Sequence, residues 1–413
     1  MLELRAATVV EARDPDTLDP ASAPGAPPPQ GGEQRLVVEL AGEPADSGGS
    51  GGPAGSGGSG ERRAAIADVS LVGRAQVGDE VIVNVQALDL RLGSGGFDVV
   101  HVNLTRGLGA RAAAGQHVMK LNYTSLQHAV AVVEDEDMEL PLQRPVAVLA
   151  LHGQLAAVAW AFSRVSPSMT LGYVQTEGGA LPGGHSRTVR ELRRRGLLAG
   201  HLTAGSAFGG EGEAVTTAGA IHHALHTLGW DAAVCGPGPG IVGSRSPLGH
   251  GGMAALDSAH VSLALGCPTL LVARMSSGDE RSRHRGISHH TITVLDLLLE
   301  PVTVALPAGV RSPVGADLRA GLRSVFGGAK PGRPVLSPDV ARPARITRHD
   351  WRRAAIELPA YASSGLATET MGRSLAEDPL FFAAALAGGA ALAEMAGEAS
   401  SLHDAGGGEQ RAG

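Results

Sequence analysis

Between Pro145 and Leu306 the chain alternates short, continuous apolar runs with helical segments, and no other feature restricts the fold as much. Val146–Leu151, Met169–Gln175, Leu197–Thr203, Asp231–Cys235, Pro268–Met275 and Val302–Leu306 read as strands. Between them, Gln154–Phe162, Ser186–Arg195, Thr216–Leu228, Gly252–Leu265 and His289–Leu299 read as helices. In Thr216–Leu228 the apolar residues Ile221, Ala224, Leu225 and Leu228 share one face. Strands that are apolar throughout must be covered on both sides, and helical connections supply the cover. The expected fold is α/β, a doubly wound parallel sheet.

The region before it has a different rhythm. Short apolar runs at Leu2–Val10, Arg35–Leu40, Ala64–Val72, Glu80–Leu90 and Phe97–Leu104 follow one another without helical periodicity, and Val81, Val83 and Val85 alternate with polar or mixed neighbours. Several short strands without helices predict a β-rich, barrel-like N-terminal domain over 1–115. Pro/Ala/Gly-rich residues 12–34 and Gly/Ser-rich residues 41–60 cannot bury enough apolar surface to offset ordering, and are expected as disordered insertions. The α/β domain is expected over 116–400, with Asp378 capping a C-terminal helix that can cover the sheet or join two copies of the chain. Residues 401–413 read as a flexible tail.

Composition narrows the class. The formal net charge of -7 and the lack of a long basic run argue against nucleic acid as a partner. Lysine occurs only at Lys120 and Lys330, so arginine supplies nearly all positive charge, as in a GC-rich bacterial genome. Cys235 and Cys267 form no CxxC pair and read as buried thiols of a reducing compartment. The chain opens without signal-peptide character, and the alanine-rich run Phe381–Ala396 reads as too short, too weakly apolar and too interrupted by Gly388 and Gly389 to span a membrane. A cytoplasmic protein without a membrane partner is expected.

In an open parallel sheet, ligands bind beyond the carboxyl ends of the strands. One such stretch holds Gly238-x-Gly240-x-x-Gly243, formally a dinucleotide fingerprint. Pro239 lies inside it, and Pro247 and Gly249 intervene before the next helix, so the glycines do not open a helix as that motif requires. Gly236, Gly238 and Gly240 remain candidates for a backbone anion nest, against the plainer reading of a rigid turn. A second stretch packs Arg281, Arg283, His284, Arg285, Ser288, His289 and His290 into ten residues. Ser288 can cap the next helix, and cations at a helix N-terminus oppose its dipole unless an anion sits between them. A phosphate- or carboxylate-bearing ligand is therefore one reading; solvated arginines paired with acidic neighbours are the other. His185 and Arg187 begin another helix and can join the first arrangement. His250, Asp257 and His260 with His284 or His289, and separately His222 with His226, offer metal-ligand types at unspecific spacing. The cofactor and metal stay unknown at this level, and Ser206 lacks the G-x-S-x-G elbow.

The stretches Met119–Gln127, Glu177–His185, Cys235–Gly240, Gly249–Asp257, His284–His290 and Thr370–Arg373 together resemble a bacterial family of actinobacterial and other Gram-positive lineages, domain of unknown function 3866. The resemblance implies a bacterial cytoplasmic protein and assigns no residue a role. The expected function is an enzyme acting on a small anionic metabolite. Arg187, Arg281, Arg283 and Arg285 would bind charge, while His284, His289 and His185 are proton-transfer candidates. A non-catalytic ligand-binding or regulatory protein is the alternative.

Overall fold

The computed structural model describes residues 2–13, 32–42, 60–91, 96–108, 115–135, 137–180, 182–244, 246–308 and 343–409. Most of the two insertions expected at 12–34 and 41–60 falls outside them. The chain divides into two compact units, Met1–Val130 and Ala131–Gly413.

The first unit is a closed five-stranded barrel of β1 (Leu4–Ala12), β2 (Glu33–Leu40), β3 (Arg62–Asp68), β4 (Glu80–Asn84) and β5 (Asp98–Asn103). The order is β1-β2-β3-β5-β4, with β1 returning to pair with β4 and β3 parallel to β5. This is the Greek-key order of OB-type barrels. Alternation supplies the core: Val81 and Val83 point inward against Val9, Leu36, Val38 and Ala65.

The second unit is the doubly wound sheet. Its strands are β6 (Val146–Leu149), β7 (Leu171–Thr176), β8 (His201–Ala204), β9 (Gly212–Ala214), β10 (Ala232–Pro237), β11 (Thr269–Val272), β12 (Thr303–Pro307) and β13 (Asp350–Ala354). They lie in the order β9-β8-β7-β10-β6-β11-β12-β13, every pair parallel. Helices cover both faces, so β6, β7, β8, β10 and β11 are buried at every residue. On one face lie α1 (Leu155–Val165), α2 (Arg187–Arg194) and, from the end of the chain, α6 (Pro379–Glu409). On the other lie α3 (Thr217–His222, continued by a π-helical turn to Thr227), α4 (Ala254–Ala264) and α5 (His289–Leu297).

Helix α6 has the length and mean hydropathy (1.6 over an 18-residue window within Pro379–Ser401) of a membrane span, yet that window is largely buried inside the protein. It packs on α1 and the sheet. Gly388 and Gly389, read from sequence as an interruption, lie within the helix. A Cβ on Gly389 would stand 2.2 Å from the Val158 carbonyl oxygen, so glycine is what lets α6 approach α1. Asp378 does more than begin this helix: its carboxylate accepts from Ser276 Oγ (2.6 Å), Ser277 N (2.7 Å) and Gly278 N (3.2 Å), tying α6 to the segment after β11.

The connections after β7 and β10 leave in opposite directions, the first toward β8 and the second toward β11. The crevice that this reversal opens at the carboxyl edge is where a doubly wound sheet holds its ligand.

Candidate functional site

Four imidazoles gather on the carboxyl-end loops. After β11 the chain makes a small hairpin in which Met275–Ser276 pairs antiparallel with Gly286–Ile287. Arg274 closes its base, accepting from Ser288 N (2.9 Å) through its carbonyl and donating its own N–H to Thr291 Oγ1 (2.9 Å). The hairpin returns His284 beside Ser288, whose Oγ caps α5 by accepting from His290 N (3.3 Å) and lies 2.8 Å from His284 Nδ1. His289 and His290 open α5. One ring nitrogen from each of His284, His289 and His290 lies within 4.8 Å of the other two. His250, from the loop between β10 and α4, stacks on His290 with centroids 3.4 Å apart and planes 15° apart. That loop is held where Gly251 crosses Gly178: a Cβ on Gly251 would stand 2.0 Å from the Gly178 carbonyl oxygen.

The rings are neutral. Burial, then the charges of Arg274 and Arg281, pushes His284 down to about 3. Burial, then Arg283, pushes His289 down to about 4. His250 and His290 move in the same direction, again by burial first. A neutral imidazole carries the lone pair a metal needs. His289 is only 3 % exposed, and neither of its ring nitrogens has a hydrogen-bond partner. The Pro247 carbonyl accepts from the His250 ring, while His250 Nε2 is buried without a partner. Buried polar atoms are rarely left so, because each costs roughly 1–3 kcal/mol.

Around the rings lies an arginine–carboxylate network. Buried Asp279 accepts from Arg281 Nε (2.9 Å) and Nη2 (2.8 Å) and lies 3.4 Å from Arg373 Nη2. Burial alone would raise its pKa; the Arg281 hydrogen bonds and charge outweigh it and hold the carboxyl well below the usual range. Arg274 is buried as well: Nη1 lies 3.0 Å from His290 Nδ1, and Nη2 lies 3.6 Å from both Asp279 Oδ2 and Met371 Sδ.

The ten-residue Arg/His run thus divides by direction. His284, His289 and Ser288 are buried and His290 is half-buried; Arg281 and Arg285 are exposed, and Arg283 is half-buried with a buried, unpartnered Nε. Arg281 pairs with Asp279, and Arg285 Nε donates to the Asp279 carbonyl (2.8 Å). His185 is buried and Arg187 exposed at the start of α2, in another neighbourhood of the strand ends. There His152 Nε2 lies 2.8 Å from Ser186 Oγ, and His152 Nδ1 lies 3.3 Å from Tyr173 Oη. Tyr173 Oη donates to the Gly236 and Pro237 carbonyls (3.0 Å each) and its ring stacks on His201. Gly238 and Gly240 bring their loop onto the loop after β7: a Cβ on Gly238 would meet the Gln175 amide at 2.3 Å, and the Gly240 carbonyl accepts from Ala180 N (3.3 Å). Of the metal-type pairs, only His250 reaches the cluster as a stacked ring. Asp257 is exposed, His260 Nε2 accepts from Leu299 N (3.2 Å), and His222 lies 3.3 Å from Asp135. A groove of about 600 Å³ lies elsewhere, at the amino ends of β11, β12 and β13, lined by Cys267, Thr269, Thr303, Arg348, Asp350 and Arg352.

Sequence reasoning missed Arg274, offered Asp279 only as one of several acidic partners for the arginines, and left His290 without a role. The adjacent His289 and His290 after a capping serine were the available signal, since two successive residues at a helix start can turn toward one neighbour. Nothing local marked Arg274.

The fold and this site together define an α/β protein of doubly wound topology, preceded by a five-stranded barrel, with a buried imidazole cluster suited to a ligand or an ion. The chain belongs to the family described as "Protein of unknown function (DUF3866)", whose model matches residues 64–389. No curated protein and no solved structure matches it.

Proposed function

We propose that the protein binds a transition-metal ion through His284, His289 and His290 and uses it to act on a small metabolite bearing a phosphate or carboxylate. The observation that carries this reading is His289, an imidazole buried with both nitrogens unpartnered where two other imidazoles converge. An all-imidazole donor set suits zinc, copper, nickel or iron and not magnesium or calcium, which prefer oxygen. Three histidines leave a coordination position open for substrate or water, as in catalytic zinc sites. Arg283, with its unpartnered Nε, and Arg285 supply positive charge for the anion; Arg281 holds Asp279, and Ser288 orients His284. In this reading His284 and His289 are ligands instead of proton-transfer groups, and His185, in the neighbourhood of Ser186 and His152, takes no part in the step. The buried thiols and the arginine-for-lysine bias support a bacterial cytoplasmic setting.

The test is metal analysis of the purified protein followed by zinc titration calorimetry. We expect one equivalent in the wild type and a loss of about 100-fold in affinity for His289→Ala. Folded wild-type protein that takes up no zinc, copper or nickel would sink the proposal. One observation favours the alternative of binding without turnover: Asp279, the carboxylate beside the cluster, is committed to arginines and is not poised as a general base. A co-purified anion recovered chemically unchanged after prolonged incubation with the loaded protein would select that alternative.

A further inference from the structure

A guanidinium carries five N–H donors and no lone pair. In the 3.0 Å contact between Arg274 Nη1 and His290 Nδ1, the arginine therefore donates and the imidazole accepts. Neutral His290 must then carry its proton on Nε2. In that form neither nitrogen can bind a metal, because one lone pair is engaged and the other nitrogen is protonated. His290 is nevertheless one of the three rings that converge. A metal on Nδ1 would take the lone pair that Arg274 holds, and a metal on Nε2 would put the proton on Nδ1, so either excludes this contact.

Arg274 also has somewhere to go. Its Nη2 is 3.6 Å from Asp279 Oδ2, about 0.4 Å beyond hydrogen-bond reach, and its Nε is buried without a partner. The same Asp279 oxygen is held by Arg281 and Arg373, and Arg373 Nε donates to Asp378 (3.1 Å) at the start of α6. The receiving carboxylate is thus fixed, and the guanidinium between it and His290 is the group that can shift.

We propose that Arg274 holds His290 in a form that cannot bind metal, and that metal entry moves its guanidinium onto Asp279. This rests on the metal reading above and adds a gate to it. The gate sets metal affinity below what the imidazoles alone would give, and couples loading to the Asp279–Arg373–Asp378 chain at the end of α6.

The experiment compares zinc titrations of the full-length wild type and Arg274→Met, which keeps the unbranched stem and removes charge and donors. A charge-assisted hydrogen bond removed from competition should tighten zinc binding by about tenfold or more. Tighter binding in the variant, or binding in the variant alone, supports the gate. Equal or weaker binding in a folded variant overturns the gate and leaves the metal reading standing; absence of binding in both proteins overturns both. Should Arg274→Met fail to fold, side-chain ¹⁵N spectra of the wild type decide, with His290 assigned through His290→Gln. The gate requires the Nε2–H form with Nδ1 accepting before zinc, and the loss of that form after it. An Nδ1–H ring in the metal-free protein overturns it.

Discussion

At the scale of single residues, the most informative groups are buried histidines whose protonation the fold forbids. His152 and His201 lie outside the cluster of His284, His289 and His290 and are both buried. Burial holds His152 at about 4, and burial together with the neighbouring His152 and Arg193 charges holds His201 at about 3. In the unfolded chain each titrates near ~6.5. Below that pH the unfolded state binds more protons than the folded one. Their contribution to stability is therefore complete above pH ~6.5 and is lost as the pH falls toward 4. His201→Phe keeps the stack on Tyr173 and removes one titration. It should lose on the order of 2 kcal/mol less than wild type between pH 7 and 5 in urea denaturation. Parallel losses in the two proteins would show that His201 does not carry this dependence. The arginines teach the complementary lesson. Their crowding between 281 and 285 was plain in the sequence, but Asp279 folds back on Arg281 and the hairpin turns His284 inward, so the run is split between ion pairing outside and lone pairs inside.

Among the elements, helix α6 shows how a glycine pair that looks like an interruption becomes a contact. The Val158 carbonyl is backbone and cannot rotate away from a methyl placed 2.2 Å from it. Gly389→Ala should cost about 1–3 kcal/mol by forcing α6 off α1. Gly397→Ala, in the same helix with nothing within 4 Å of a Cβ, should be neutral or stabilise by about 0.5–1 kcal/mol. Thermal melts of the two variants check both; equal effects would mean that helix propensity, and not the close approach, governs these sites. Legibility also differed among strands. The central strands β6, β10 and β11 were readable because burial on both faces demands unbroken apolar runs. The edge strands β9 and β13, Gly-Glu-Ala and Asp-Trp-Arg-Arg-Ala, were not, since an edge carries charge and has no such pattern to show.

For the whole molecule, the two units have cores of their own, the barrel around Val38 and Val83 and the sheet around its two helical faces. His250, His284, His289, His290, Arg274 and Asp279 all belong to the second unit, Ala131–Gly413. A fragment spanning 131–413 should therefore bind zinc with an affinity within about threefold of the full chain, measured by calorimetry. A fragment that is folded but loses binding would mean that the first unit contributes to the site. The order of strand and helix, and so the doubly wound class, was available from local periodicity, because burial on a sheet face or a helix face leaves its mark within a few residues. Convergence leaves no such mark. His250 meets His290 only because β10 and β11 flank β6 and send their connections over the same edge of the sheet. Arg274 meets His290 because a hairpin closes between them, and Asp279 is held near Arg274 by its own contact with Arg373 and by that of Gly278 with the start of α6, about a hundred residues on. The constellation is a property of non-local strand order and packing. The sequence offered His250 with His284 or His289, and acidic partners for the arginines, as combinations among several, and only the packing selected among them.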